Sequence, residues 1–322
     1  MGLRGGIDLG GTKIQAVVVD AEHAVLASAR LPTPESGGPP AVVAQVAAAV
    51  REAAAGARVD SGDLDGVGVG APGTFDDGNL ANAPNLSGWR DPYPLAPTLG
   101  EALGCEVRLG NDVQVATDAE FQLGAGRPYQ SLLGVFWGTG VGGGIVLDGK
   151  PWTGRGGAGE IGHMVVKLGG ARCTCGRVGC MEAYAGPAAM EARAHRAHHE
   201  KGRPTSLFKL MKEHHRPRLT SGIWARALER GDELALELLD RAVEALGAGV
   251  ASAVNLLDVE CVIIGGGLGT RLGEPYVRRI AAAMHPHLFS DTRPPDVHLA
   301  ALGDLGGAIG ASLLIERASI PA

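Results

Sequence analysis

The fold class expected of this 322-residue chain is α/β, with two domains that repeat one plan. Strand-like and helix-like stretches alternate along its length, the pattern of sheets covered by helices. Residues 6–20 (GIDLGGTKIQAVVVD) and 134–149 (GVFWGTGVGGGIVLDG) each read as an apolar strand, a glycine turn and a second apolar strand, more than a hundred residues apart. One copy would open each domain, although two unrelated hairpins leave the same trace, because Gly-Gly is a common hairpin turn. Glycine makes up 51 of 322 residues, roughly twice the usual ~7%. Such an excess implies many tight turns and close approaches of backbone to a ligand.

The remaining elements follow in order. Residues 40–56 (PAVVAQVAAAVREAAAG) have Ala/Val periodicity and end in Gly, which predicts a helix. Residues 65–70 form a short strand ending in APGTFDDGNLANAPNLSGW, whose Gly, Pro and Asn mark an irregular surface loop of the kind that carries binding residues. A helix is expected near 95–103, a strand at 106–109 ending at Gly110-Asn111-Asp112, and a helix over 113–123. The second half is mostly helical, at about 187–201, 205–214, 221–229 and 232–256. Glu260–Ile264 is a buried strand, and helices near 275–285 and 306–317 flank a last strand near 297–301. No long linker separates these elements. The expected division is an N-terminal domain, 1–115, onto which a C-terminal helix at about 303–322 packs back, and a larger domain, 116–302, with the cysteine loop.

Net charge is −6 and the pI about 5.9, which disfavours a nucleic-acid partner. No apolar run approaches the ~20 residues that span a bilayer, and the start MGLRGGIDLGG runs straight into a strand with no signal peptide. The expected setting is the cytoplasm, where thiols stay reduced.

The segment Gly154–Glu182 (GRGGAGEIGHMVVKLGGARCTCGRVGCME) gathers His163, Cys173, Cys175 and Cys180, with Glu160 and Glu182 at its edges. Imidazole and thiolate are preferred ligands of tetrahedral zinc, and four of them leave no place for a reacting water. Such a metal holds a loop in shape and frees the carboxylates to bind something else. This suggests a small-molecule site rather than a zinc enzyme. A disulfide plus a spare thiol is the competing arrangement. A single residue separates Cys173 from Cys175, which is awkward for a bond between them, and the chain has five Cys. Cys105 and Cys261 read as small buried hydrophobes.

Three glycine-rich turns follow strands: Asp8-Leu9-Gly10-Gly11-Thr12-Lys13, Gly138-Thr139-Gly140-Val141-Gly142-Gly143 and Gly265-Gly266-Gly267-Leu268. Glycine lets backbone N–H groups crowd around an anion, and Thr adds a hydroxyl donor. None matches the P-loop or the dinucleotide fingerprint in full. Together, two turns for phosphates and a third opening a helix for a nucleoside point to a nucleotide. Asp8 could hold Mg²⁺ through water or merely cap its turn. The carboxylate of Asp112 could accept a proton from a hydroxyl. On spacing alone, capping the next helix is the simpler role. Trp137 reads as core, and His195, His198 and His199 as a solvated helix face.

In order along the chain, DLGGTK, GVGAPGTFD, Gly110-Asn111-Asp112, GTGVGGGIVLDG, GEIGH, CTCGRVGC-M-E and IIGGGL make it similar to the ROK family of bacterial sugar kinases and related repressors. The resemblance covers nearly the whole chain, and the cysteine segment is its most specific part. It implies a fold like that of actin and hexokinase, two ribonuclease-H-like domains with a cleft between them. It implies ATP, Mg²⁺ and transfer of the γ-phosphoryl group to a sugar, the 6-hydroxyl of glucose foremost. Kinases of N-acetylglucosamine, N-acetylmannosamine or fructose, or use of polyphosphate, are the alternatives. Carried over by motif, Asp112 is the base and Asn111 its sugar-binding neighbour, while Glu160, His163 and Glu182 bind sugar hydroxyls. Gly73 and Asn85 are further sugar contacts. Asp8, Gly10, Gly11, Thr12, Lys13, Gly138, Thr139, Gly140, Gly142, Gly265, Gly266, Gly267 and Leu268 serve the nucleotide. His163, Cys173, Cys175 and Cys180 hold zinc, with one nitrogen of His163 on the metal and the other on the sugar. The family's repressors add an N-terminal helix-turn-helix domain, and none is expected here, since the first glycine turn begins at Asp8. A homodimer or homotetramer is expected.

Overall fold

The computed structural model describes residues 2–83 and 85–316. Its contacts group the chain into two units, one running to Arg127 and including Thr153–Ala158 and the residues from Ala301 on, the other made of Pro128–Trp152 and Gly159–Ala300.

In the first unit the opening glycine turn joins two apolar runs into a hairpin. Arg4–Leu9 (β1) pairs antiparallel with Lys13–Val19 (β2), placing Asp8 opposite Gln15. Val25–Pro32 (β3) extends the sheet as an edge strand. The sequence reading missed it because its largely exposed side chains show no apolar period. Gly38–Gly56 (α1) lays its Val and Ala face on this sheet. Val67–Ala71 (β4) then runs parallel to β1.

The next loop is not irregular throughout. Thr74–Asp76 (β5) and Asn79–Ala81 (β6) form a small hairpin. Leu80, Ala83, Leu86 and Trp89 are buried, and the Trp89 indole N–H donates to the Leu80 carbonyl at 2.8 Å. Apolar anchors scattered among turn residues have no period to read. After Leu95–Leu103 (α2), Val107–Asn111 (β7) runs parallel to β4 and leads directly into Asp112–Leu123 (α3). The sheet order is β3-β2-β1-β4-β7.

The C-terminal helix, Gly306–Glu316, packs on β1, β4 and α3. Because α3 is part of this packing, the first unit continues past residue 115, the expected boundary. Positions 317–322 lie outside the described residues. The helix backbone comes so close that a Cβ on Gly68 would overlap the carbonyl oxygen of Ala311, and one on Gly6 that of Ala308. Only glycine permits this approach.

The second unit repeats the plan. Leu132–Trp137 (β8) pairs antiparallel with Val141–Leu147 (β9), and Lys150–Pro151 (β10) pairs on its edge. The cysteine segment follows. Then come Glu182–Ala185 (α4), Pro187–His195 (α5), Leu207–Glu213 (α6), Ser221–Glu229 (α7) and Glu233–Leu257 (α8). Cys261–Gly265 (β11) leads into Gly266–Met284 (α9), and Asp296–Leu299 (β12) closes the sheet in the order β10-β9-β8-β11-β12. In both sheets an antiparallel meander is followed by parallel strands. This is the ribonuclease-H-like arrangement, twice, as in actin and hexokinase.

Three details differ from expectation. α5 ends at His195 and the chain continues as a wider π turn, Arg196–Glu200. The rings of His195, His198 and His199 gather around Phe208 of α6, which half-buries His195 and His198 and leaves His199 exposed. α9 begins at Gly266, well before residue 275, and is broken at Gly273 (φ 65°, ψ −161°) just before Pro275. Cys261 is buried, but Cys105 is only half-buried. Among the described residues no helix is long and apolar enough to cross a membrane.

Gly68→Ala forces the C-terminal helix off β4. It is expected to destabilise the protein by about 3 kcal/mol or more, the upper range for overpacking. A lowered urea midpoint at unchanged slope is the check. An unchanged midpoint refutes the close packing.

Candidate functional site

In the first unit, Gly10-Gly11-Thr12 forms the turn between β1 and β2. The Gly10 N–H donates to the Lys13 carbonyl at 3.0 Å, and Thr33 Oγ1 donates to the Gly10 carbonyl at 2.7 Å. Gly11 and Thr12 are exposed. Asn85 lies against the turn, since a Cβ on Gly11 would stand 2.7 Å from its carbonyl oxygen.

Asp8 is the last residue but one of β1 and lies beside Gly307 of the C-terminal helix. Burial pushes its carboxyl above the usual range, Lys13 beside it pulls it down, and Asp304 pushes it up further. Asp304 was not anticipated, although the DLGG of 8–11 recurs at 304–307. Two neighbouring carboxyls suit a hard divalent cation, which would return Asp8 to its charged form.

Asn111 and Asp112 stand where β7 becomes α3. Asn111 Oδ1 accepts from the N–H groups of Val113 and Gln114, both at 3.0 Å, so Asn111 caps the helix. Asp112 is the first helical residue, its Oδ1 accepting from the Val113 N–H at 2.9 Å. The capping role weighed for Asp112 therefore belongs to its neighbour. Gly73 has φ 116°, and a Cβ there would lie 2.5 Å from the Ala81 carbonyl oxygen. Local backbone fixes its identity.

In the second unit, Gly138, Thr139 and Gly140 make the turn between β8 and β9, with the Gly138 N–H donating to the Gly140 carbonyl at 3.0 Å. Gly142 is not in the turn but within β9, opposite Phe136. The third glycine turn opens α9 as expected. Gly266 (φ 81°) backs onto Trp137, where a Cβ would come within 2.6 Å of the Trp137 backbone, and a Cβ on Gly138 would stand 3.8 Å from the Gly267 nitrogen. The two turns are thus side by side. The Leu268 side chain is buried, which makes it core and leaves only its backbone for a ligand.

His163 ends a short turn, Ile161–His163, and isolated bridges between Val165 and Cys180 and between Arg172 and Val178 fold the cysteine segment back on itself. The ligand atoms of His163, Cys173, Cys175 and Cys180 all lie within 4.8 Å of one another. The Cys175 and Cys180 sulfurs are 3.7 Å apart, and Cys173 Sγ is 3.8 Å from His163 Nδ1. A tetrahedron with metal–sulfur bonds of ~2.3 Å has sulfur–sulfur edges of roughly 3.8 Å, so the donor set fits zinc. No cysteine is in a disulfide. Nε2 of His163 is 3.9 Å from Glu160 Oε2. That is too long for a hydrogen bond and leaves room for a third group to join both.

The thiols differ. The Arg177 backbone N–H, opposed by burial, lowers Cys175 to about 7, while burial pushes Cys180 up to about 12. Glu182 begins α4, two residues after Cys180. Its Oε2 accepts from the Val141 N–H at 3.0 Å and its Oε1 from Thr174 Oγ1 at 3.3 Å. Thr174 and the Val141 N–H were not expected here. Only the adjacency of Thr174 to two cysteines hinted at the first.

Metal binding must displace the thiol protons, so affinity falls as pH falls, most visibly through and below about 7, where Cys175 becomes protonated. The expected content is about one tetrahedral ion per chain. Cys175→Ser should lose most of it by elemental analysis. Metal content equal to wild type, or binding indifferent to pH between 8 and 6, contradicts this assignment.

Residues 4–318 match the sequence profile of the ROK family. The chain is 32% identical to the glucokinase of Halalkalibacterium halodurans, over 97% of this chain and 94% of that protein. It is 33% identical to the N-acetyl-D-glucosamine kinase of Pectobacterium atrosepticum, over 96% and 97%. The crystal structure of a ROK family glucokinase from Streptomyces griseus in complex with glucose and AMPPNP superposes with a TM-score of 0.82 at 31% identity, covering 98% of this chain and 100% of that one.

Proposed function

The chain belongs to the ROK family, and from that premise we propose that it is an ATP-dependent hexose kinase that phosphorylates glucose at its 6-hydroxyl. The observation that carries the reading is His163. Its Nδ1 is 3.8 Å from Cys173 Sγ in the cluster of three cysteines and its Nε2 is 3.9 Å from Glu160, so a structural ion would hold an imidazole and a carboxylate ready for a polyol.

Phosphoryl transfer asks for positioning, charge neutralisation and a base. Asp112 takes the proton of the 6-hydroxyl as the oxygen bonds to phosphorus. Asn111, whose oxygen is committed to the helix cap, donates its amide N–H to the sugar. Glu160 and His163 Nε2 share one hydroxyl, Glu182 takes another, and Asn85 and the Gly73 backbone add further contacts. Backbone N–H groups of the turns at 10–13 and 138–140 receive the phosphates as charge develops. The opening turn of α9, Gly265 to Leu268, receives the nucleoside. Asp8 would hold Mg²⁺, which supplies charge neutralisation on the phosphates. The metal on His163, Cys173, Cys175 and Cys180 is zinc, as a soft thiolate and imidazole set selects.

An N-acetylglucosamine kinase is the second reading, favoured by the equally similar Pectobacterium atrosepticum relative. A coupled assay of ADP release with glucose, N-acetylglucosamine, N-acetylmannosamine and fructose separates them. Glucose with ATP should give the highest kcat/KM, and polyphosphate should not replace ATP. No ADP release with any sugar ends the kinase reading. Asp112→Asn should keep glucose affinity and lower kcat by ~10²–10⁴-fold. Activity within a few-fold of wild type removes Asp112 from the base role.

A further inference from the structure

The one-turn helix α4 touches the second glycine turn from both ends. At its start, Glu182 Oε2 accepts from the N–H of Val141, the residue just after the turn, at 3.0 Å. At its end, the Ala185 carbonyl accepts from the indole N–H of Trp137, the residue just before the turn, at 2.7 Å. Trp137 and Ala185 are both fully buried. A Cβ on Gly140 would collide with the Glu182 carboxylate, so nothing intervenes between α4 and the turn.

The same helix is tied to the metal cluster. Cys180 lies two residues before Glu182 in the chain, and Thr174, between the ligands Cys173 and Cys175, donates its hydroxyl to Glu182 Oε1 at 3.3 Å. The third glycine turn leans on Trp137 as well, through Gly266. The Trp137–Ala185 bond is buried, where a lost partner is costly, and the Val141–Glu182 bond is partly buried, while the Thr174–Glu182 bond is exposed.

We propose that α4 is a brace through which the metal-held loop positions the glycine turn at 138–140, and that Trp137 and Thr174 are positioning residues for the phosphoryl donor. This rests on the kinase reading and deepens it. The cluster then serves the nucleotide as well as the sugar. The indole N–H of Trp137, which the sequence reading assigned only to the core, fixes the entry to the turn. Glu182 holds its exit while keeping further acceptor capacity for a hydroxyl.

The test reads binding and backbone protection, not turnover. Magnesium–AMP-PNP and glucose affinities are measured by calorimetry on wild type, Trp137→Phe and Thr174→Val, with bound zinc quantified in each. Both variants should keep about one zinc per chain and weaken AMP-PNP by ~3- to 10-fold, the loss of one hydrogen bond. Trp137→Phe should leave glucose affinity unchanged. If it fails to fold, Thr174→Val, at an exposed position, carries the test. In the wild type, chelation of zinc should speed amide exchange in a peptide covering 138–143 and leave one covering 261–265 unchanged. AMP-PNP affinity equal to wild type in the folded variants, or unchanged exchange over 138–143 after chelation, overturns the brace while the kinase reading stands. Wild-type protein that binds no AMP-PNP at all overturns both.

Discussion

Three sulfurs and an imidazole nitrogen within 4.8 Å of one another form an unstable group by themselves. As thiolates they repel, and as thiols two of them are buried with little to bond. A cation at the centre would turn that cost into four bonds, and its binding energy would become folding energy for the loop. The chemistry proposed for the second unit rests on this. The segment 154–182 is rich in glycine and expensive to order. Tied at four points, it would present Glu160, the other nitrogen of His163 and Glu182 in fixed relation. Such a metal needs no chemistry of its own. It would let flexible chain behave as a rigid wall.

The first unit holds its candidate groups by packing. They sit towards the ends of β1 and β7, and the sheet beneath them is fixed by backbone lying on backbone, Gly6 and Gly68 against Ala308 and Ala311. Asp112 gains its position from its neighbour. Because the Asn111 side chain caps α3, the helix starts at residue 112 and its first side chain is carried at a definite angle from the strand. Two adjacent residues therefore divide two jobs that spacing alone would have given to either.

The sequence displayed what is local. Both hairpins were legible because a glycine turn between apolar runs has few other outcomes. The gathering of His163 with Cys173, Cys175 and Cys180 was legible because thiol and imidazole at short spacing have few other uses. The helices at 40–56, 95–103 and 221–229 were legible from their apolar period. What escaped depends on partners far along the chain. β3 is an edge strand with a polar face. β5 and β6 are anchored by Trp89 reaching back to Leu80. Asp304 meets Asp8 only because the C-terminal helix returns to β1. The second duty of α4 needs Trp137 and Ala185, 48 residues apart. The π turn after His195 arises where three imidazoles pack on Phe208, a contact no periodicity encodes.

The return of the C-terminal helix also sets an order of events during synthesis. More than two hundred residues separate β4 from Gly306. At ~5–20 residues per second, a ribosome takes on the order of ten seconds or more to cover that distance. Throughout that interval the glycine strip on β1 and β4 has been made but the helix that covers it has not. The second unit, whose elements all lie between Pro128 and Ala300, has its complete set first. Of the two units, the one begun earlier is thus the later to be finished, and its bare sheet face is what a nascent chain must shield from unwanted partners while it waits.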